Sequence, residues 1–383
     1  MKLLFLWLSL VAATAFIYQR DSGLRYGHHE MCKKLQNDFV EKITSEEFRQ
    51  CLKIYDKVVS FKDWEIKTNA WLGSWGWSHL SVYSPSESTE IWESKSNNIG
   101  VRLKTIENKI IVYKAHPDSV FKRGDLFIEV NGQTPLYESD ILNEVGSFKI
   151  QRDGKEILLD VKTGDYFWND KVEFTKNIMK VPSFRGEFFK DEALKEIIKK
   201  ISLIQEDLIY LDLRDNIGGN VASAIRLMSV FVCDESVIGS FKIPSREEFG
   251  SSDYPLTVDQ SVQVEHMKRY GEVKLRVPKN KICTSKKVKV LVNDRTASTA
   301  ELVAQAFIDL KRGTVVGEKT SGRMVLSSWD QIVYFPEGFY FSHPYALYAS
   351  ISGSAIEGEG VLPETFKTYV LDFEILGRDS FLD

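Results

Sequence analysis

Apolar residues recur at helical spacing between residues 28 and 56: Met31, Leu35, Phe39 and Ile43, then Phe48, Cys51, Leu52 and Tyr55. Steps of three and four place them on one face, which predicts a small helical segment. The passage that follows, DWEIKTNAWLGSWGWSHLSVYSPSEST, is too aromatic for a flexible linker. Turns and short strands packed on another part of the chain are expected there. From Asn97 to about Thr163 the pattern changes to alternation over short runs: IGVRLK, KIIVYKAH, GDLFIEVNGQ and SFKIQRDGKEILLDVKT. These read as a small β-rich domain, 97–163, whose NGQ and RDGK turns carry the Gly, Asn and Asp that tight turns need.

From Gly164 onwards strands and helices alternate. NIMKVPSF, LIYLDLR, VKVLVN and GTVVGE read as strands, and DEALKEIIKKISLIQ, NVASAIRLMSVFV and STAELVAQAFIDL as helices. DQIVYF, GFYFSH and YALYAS add further strands. This order predicts an α/β layered fold with parallel strands and crossover helices, spanning 164–383. Residues 234–284, rich in charge and Pro, read as an insertion over that core. No internal repeat is present.

Composition narrows the class. Hydrophobic residues make up 43% and charged residues 27% of 383, the balance of a globular protein. The net charge of −4 and the lack of a long basic block argue against nucleic acid as a partner. Lys2 precedes an apolar run from Leu3 to Tyr18, with small residues at Ala13-Thr14-Ala15. Residues 1–19 therefore read as an export signal, with a short uncleaved membrane anchor as the alternative. Export places the protein in the periplasm or outside the cell. The cysteines Cys32, Cys51, Cys233 and Cys283 form no C-x-x-C pair, so a metal or redox motif is disfavoured. In an oxidising compartment, Cys32–Cys51 and Cys233–Cys283 is the expected pairing, with four free thiols as the alternative.

Candidate chemistry centres on NDRTASTAEL. Ser298 stands between a β-branched strand and an amphipathic helix, and Ser298 with Glu301 fits a capping box. The same turn would expose its hydroxyl at the carboxyl ends of the strands, beside helix N–H groups that favour negative charge. A second turn, YLDLRDNIGGN, offers Gly218 and Gly219 as residues whose amides could face a developing oxyanion. No Lys-Ser/Thr pair follows these glycines, so a phosphate loop is disfavoured. His28-His29-Glu30 lacks the spacing of a zinc motif, and no metal or other cofactor is expected.

LDLRDNIGG, VLVNDRTASTAELVAQAF, GTVVGEKTSG and IEGEGVLPE occur in the order found in the carboxyl-terminal processing peptidases and their tricorn-like relatives, which this chain resembles. GVRL…VYKAHPDSVFKRGDLFIEVNGQ is similar to the PDZ module that those peptidases carry. The resemblance implies a crotonase/ClpP-like layered core with an inserted PDZ-like domain, preceded by an N-terminal helical segment, 20–96. It makes Ser298 the nucleophile of a serine peptidase, and Gly218 or Gly219 with Thr299 the oxyanion hole. It also implies a protein or peptide substrate, held by its C-terminus at Asn98, Ile99 and Gly100.

One position departs from the lysine-type members. Arg323 stands where their base is expected, and a guanidinium does not deprotonate near neutrality. Lys319 is placed to point elsewhere. The tricorn-like branch instead uses a histidine ahead of the PDZ module, and WGWSHLSVY supplies Ser78 and His79 there. A neutral imidazole can take the serine proton, with Glu357 or Ser78 orienting the ring. His343 is the reserve base. Rival readings are an inactive scaffold that binds peptides, a carrier of apolar ligands, and a crotonase-type acyl enzyme.

Overall fold

The computed structural model describes residues 23–168, 171–185, 189–257, 259–332, 334 and 339–382. The expected signal or anchor lies outside them. Among the described residues no helix is long and apolar enough to cross a membrane.

The central sheet runs in the order Thr365–Phe366, Thr314–Gly317, Lys287–Val292, Leu208–Asp212, Ile178–Lys180 and Glu173–Thr175. All neighbours pair in parallel except the last two, which are antiparallel. Parallel neighbours require crossovers, and the helices Asp191–Leu203, Val221–Phe231 and Thr299–Asp309 lie between these strands in sequence. Val221–Phe231 is buried along almost its whole length, as is Thr299–Asp309, so both are sandwiched rather than solvated.

What sandwiches them is a second sheet, in the order Ser81–Tyr83, Tyr340–Ala349, Ser236–Lys242, Glu272–Val277 and Ser251–Asp253, with Val325–Gln331 also paired to Tyr340–Ala349. Three of these strands come from 234–284, which is thus part of the layered core and not a loop over it. Phe241, Val273, Leu275 and Val277 are fully buried, and the charged residues between them face outward. That alternation is the strand signal that high charge concealed.

The N-terminal part packs on this second sheet. Helices cover 23–38, Ser45–Ile54 and Phe61–Gly73. The last runs into the aromatic passage expected to form turns and short strands. Phe61, Trp64, Glu65, Thr68 and Leu72 are its buried residues, at steps of three and four, and Ser60 caps it by accepting from the Asp63 amide. His28 is buried among them. Its Nδ1 accepts from Trp64 Nε1 at 3.0 Å, and its Nε2 lies 2.8 Å from the Cys51 carbonyl oxygen. Burial lowers its pKa, so the ring is a neutral structural strut. Both expected disulfides are present, Cys32–Cys51 and Cys233–Cys283.

Lys95–Asn98 pairs antiparallel with Gly164–Phe167, forming a stem at the two ends of an inserted module. Between them is a five-stranded antiparallel sheet with its own core, including Ile110, Val112, Phe127, Phe148 and Ile150. Its first strand, Val101–Ile106, is an edge.

The two disulfides span 19 and 50 residues. By loop-closure entropy, Cys32→Ala with Cys51→Ala should cost about 3 kcal/mol, and Cys233→Ala with Cys283→Ala about 4 kcal/mol. Denaturant midpoints of the two double variants check the order.

Candidate active site

Ser298 begins the helix Thr299–Asp309 directly after the strand Lys287–Val292 and its short turn. Its backbone sits at φ 57° and ψ −127°, a conformation that costs a non-glycine residue about 1–3 kcal/mol. A helix cap has no need of it, since caps sit in the ordinary extended region. Ser298 and Glu301 form a capping box, in which the Ser298 amide donates to the Glu301 carboxylate while the Glu301 amide reaches the Ser298 carbonyl oxygen at 2.8 Å. The turn thus leaves the hydroxyl half-buried at the carboxyl end of the sheet, ahead of a helix amino terminus.

Glu301 holds the turn in place. Its fully buried carboxylate accepts from the Ser298 amide at 2.8 Å, the Thr320 hydroxyl at 2.5 Å, the Gly322 amide at 2.7 Å and the Arg323 amide at 2.8 Å. Burial raises its pKa, and the four donors oppose that rise. Hydrogen bonds to a charged group contribute about 1.5–3 kcal/mol each, so the set outweighs the strain at Ser298. Thr320 passes the restraint on, accepting the Val361 amide at 2.7 Å.

The Gly218-Gly219 turn presses on the serine from the neighbouring strand. A β-carbon on Gly218 would lie 2.7 Å from Ser298 Cβ, and one on Gly219 would lie 2.7 Å from the Phe184 backbone, so neither position accepts a side chain. The Gly218 amide is committed to Asn216 Oδ1 at 2.8 Å. Among the described residues no acceptor meets the Gly219 or Thr299 amide. The Thr299 hydroxyl donates to the Gly219 carbonyl at 2.8 Å, fixing the two turns together. Beneath them Arg214 makes two-pronged bonds to Asp212 and Asp379. Burial alone would raise the Asp212 pKa, but Arg214 outweighs it and holds the carboxyl at about 2.

His79 arrives from the other sheet, just before the strand Ser81–Tyr83, whose Val82 is clamped by the Asn69 amide at 2.8 and 2.9 Å. The ring Nε2 lies 3.3 Å from the Arg323 carbonyl oxygen. A carbonyl can only accept, so this contact assigns the hydrogen to Nε2 and leaves the lone pair on Nδ1. Desolvation, with the adjacent Arg323 cation, pushes the imidazole down to about 4. At neutral pH it is unprotonated and able to receive a proton.

The partners of Glu357 differ from those expected. Its carboxylate accepts the Ser78 amide and hydroxyl, both at 2.8 Å, and the Met324 amide at 2.7 Å. It holds the residue next to the imidazole, and no hydrogen bond joins the ring to Glu357, Ser78 or Ser298 among the described residues. Segment 320–324 connects all of them, since Arg323 meets both His79 and Glu301 while Met324 meets Glu357. Local sequence does not show this hub. Only the Glu301 end of it is readable, as a capping residue. The reserve base, His343, is fully buried and paired with Asp330 at 3.1 Å, which also bonds Lys34, so it fastens the N-terminal helix. Lys319 is exposed beside Glu359.

The inserted module reaches the same turn. Arg295, three residues before Ser298, donates to the Leu103 carbonyl at 3.1 Å and to Glu138 at 2.7 Å, and Glu138 accepts the Thr105 amide at 3.0 Å. Leu103 and Thr105 belong to the edge strand, so its free side is already filled by side chains of this chain. The expected carboxylate loop is filled as well. The Gly100 amide donates to Asn98 Oδ1 at 2.7 Å and the Ile99 amide to the Leu142 carbonyl at 3.2 Å. Neither amide is left for a ligand.

Comparison with known proteins follows the same strands. A family profile described as Peptidase family S41 matches residues 178–365, which include the glycine turn, Ser298 and Glu357. A probable CtpA-like serine protease of Staphylococcus haemolyticus is 22% identical over 93% of this chain and 68% of its own length. A carboxyl-terminal-processing protease of Picosynechococcus sp. is 28% identical over 56% of this chain, which spans 45% of that relative. Among solved structures, the photosystem II D1 C-terminal processing protease superposes with a TM-score of 0.55 at 15% identity, covering 89% of this chain and 92% of that one. Mature CPAF in complex with lactacystin gives 0.62 at 13% identity, covering 92% and 96%. With a strained serine turn, its paired glycines and these similarities on one set of strands, residues 178–365 form a peptidase family S41 region and the chain is a serine-type peptidase.

Proposed function

We propose that the chain is a serine endopeptidase of the C-terminal processing type, acting on protein or peptide substrates. Ser298 Oγ attacks the scissile carbonyl carbon while its proton passes to His79. The amides of Gly219 and Thr299 receive the oxyanion, helped by the helix amino terminus. Collapse of the tetrahedral intermediate breaks the C–N bond as the imidazolium returns its proton to the leaving amine. Water, deprotonated by the same imidazole, then hydrolyses the acyl-enzyme. Glu357 is a positioning residue: by holding Ser78 it fixes the backbone that carries His79. The strained turn at Ser298 carries this reading, because a capping box is ordinarily made without that backbone conformation and its cost is met by a dedicated buried carboxylate.

The module between the stem strands is PDZ-like on this reading, yet its filled edge and loop argue that substrate capture lies elsewhere. The two disulfides support an oxidising, extracytoplasmic location. A scaffold role is the second reading, favoured by one observation: the His79 ring faces the Arg323 carbonyl and not the serine.

Fluorophosphonate labelling separates the two. Wild type should label and Ser298→Ala should not; absence of Ser298-dependent labelling supports the scaffold. Ser298→Ala and His79→Ala should each reduce hydrolysis of unstructured protein by at least about a thousandfold. Gly219→Ala keeps the amide but its β-carbon meets the Phe184 backbone and displaces the donor, so kcat should fall by up to about 10²–10³, as when such a donor is lost. The acid limb of kcat/KM should lie well below the ordinary histidine value of about 6.5, towards the value of about 4 to which His79 is depressed. Because the cation disfavours the imidazolium, Arg323→Gln should move that limb to higher pH.

A further inference from the structure

Arg323 is exposed, and among the described residues its guanidinium has neither an ion pair nor a hydrogen bond. Its backbone is pinned on both sides of its α-carbon, the amide to Glu301 and the carbonyl beside His79. The side chain is therefore rooted at the base, and its charge acts on the His79 imidazole and on the Tyr83 phenol. A cation in this position weakens the base, so it has a cost that needs a compensating role.

An aromatic surface adjoins it. Tyr83 stacks on Trp329 with ring centroids 4.8 Å apart, and Trp92 meets Trp329 edge-on at 5.2 Å. Tyr83 follows His79 by four residues, and Trp329 lies on the strand Val325–Gln331 that leaves Arg323. All three rings are partly accessible, with Trp92 at 38%. The position relative to the reaction follows from the base. The imidazolium gives its proton to the leaving amine, so groups beside His79 face the segment of substrate on the carboxyl side of the cut.

We propose that Arg323, with the shelf of Tyr83, Trp329 and Trp92, is a specificity subsite for a carboxylate on that departing segment. The guanidinium supplies a two-pronged match to a carboxylate, and the rings supply apolar contact for the residue that bears or precedes it. Both amides of the module's expected carboxylate loop are already spent, whereas the Arg323 guanidinium, beside His79, has no partner among the described residues. The carboxylate has two possible sources, a chain terminus a few residues beyond the cut or an Asp or Glu side chain there. Arg323 is a specificity residue and takes no part in proton transfer.

The inference rests on the peptidase reading, and the test keeps the two apart. Four peptides of one sequence are compared: a free acid, its C-terminal amide, and each with Glu or Gln two residues after the cut. Binding is measured by fluorescence anisotropy on Ser298→Ala, and cleavage on the wild type. The proposal expects a roughly ten- to hundredfold preference for one carboxylate form, seen in binding and in KM more than in kcat. Arg323→Gln should abolish the preference and Arg323→Glu should reverse it. Comparing acid with amide in the same variant cancels any change in the base. Trp329→Ala should weaken acid and amide alike. A preference for the free terminus points to a chain end, and a preference for Glu over Gln points to a side chain. Equal binding of all four peptides, or a preference that survives Arg323→Gln, overturns the subsite. Failure of the wild type to cleave any of them overturns the peptidase reading alone, because binding still reads the subsite.

Discussion

Four hydrogen bonds to one carboxylate hold the candidate site together. Glu301 joins the serine turn to segment 320–324, and that segment in turn reaches His79 and Glu357. A charge taken wholly out of water is costly unless its lone pairs are filled. Here they are filled by four groups from two segments, so the carboxylate is stable only when those segments are correctly placed. The same arrangement forces the serine backbone into a conformation that it would not otherwise keep.

The two halves of the site are built on different principles. The Ser298 side belongs to the parallel sheet, where glycines allow two turns to approach within van der Waals contact and a threonine hydroxyl ties them together. The His79 side belongs to a sheet assembled from distant parts of the chain, with Ser81–Tyr83 laid against Tyr340–Ala349. Rigidity there comes from aromatic packing of the N-terminal helices and from the Lys34–Asp330–His343 cluster. The imidazole in this setting is desolvated and next to a cation, which keeps it neutral and makes it a weak base.

Much of this was legible in the residues, for identifiable reasons. The Ser298 turn stands between two strongly periodic segments, and the glycine turn follows a run of β-branched and aliphatic residues, so both locate themselves. The order of motifs brought in His79 and Glu357. What stayed hidden depends on partners remote in sequence. Glu301 shows its capping bond, three residues away, but not its bonds to Thr320, Gly322 and Arg323. Arg295 gives no local sign that it fills the edge of a module almost two hundred residues earlier. Residues 234–284 concealed strands because charged side chains alternate with the buried ones, and Phe61–Gly73 concealed a helix because tryptophan and glycine suggested turns.

The chain order of the site has a consequence for biosynthesis. Ser78 and His79 emerge early, the inserted module is then made between them and the serine, and Glu357 comes nearly last. A growing polypeptide thus holds an imidazole without its carboxylate support, and then a serine whose turn lacks segment 320–323. On the proposed mechanism the imidazole, the serine and their carboxylates come together only after residues 320–357 have followed the serine.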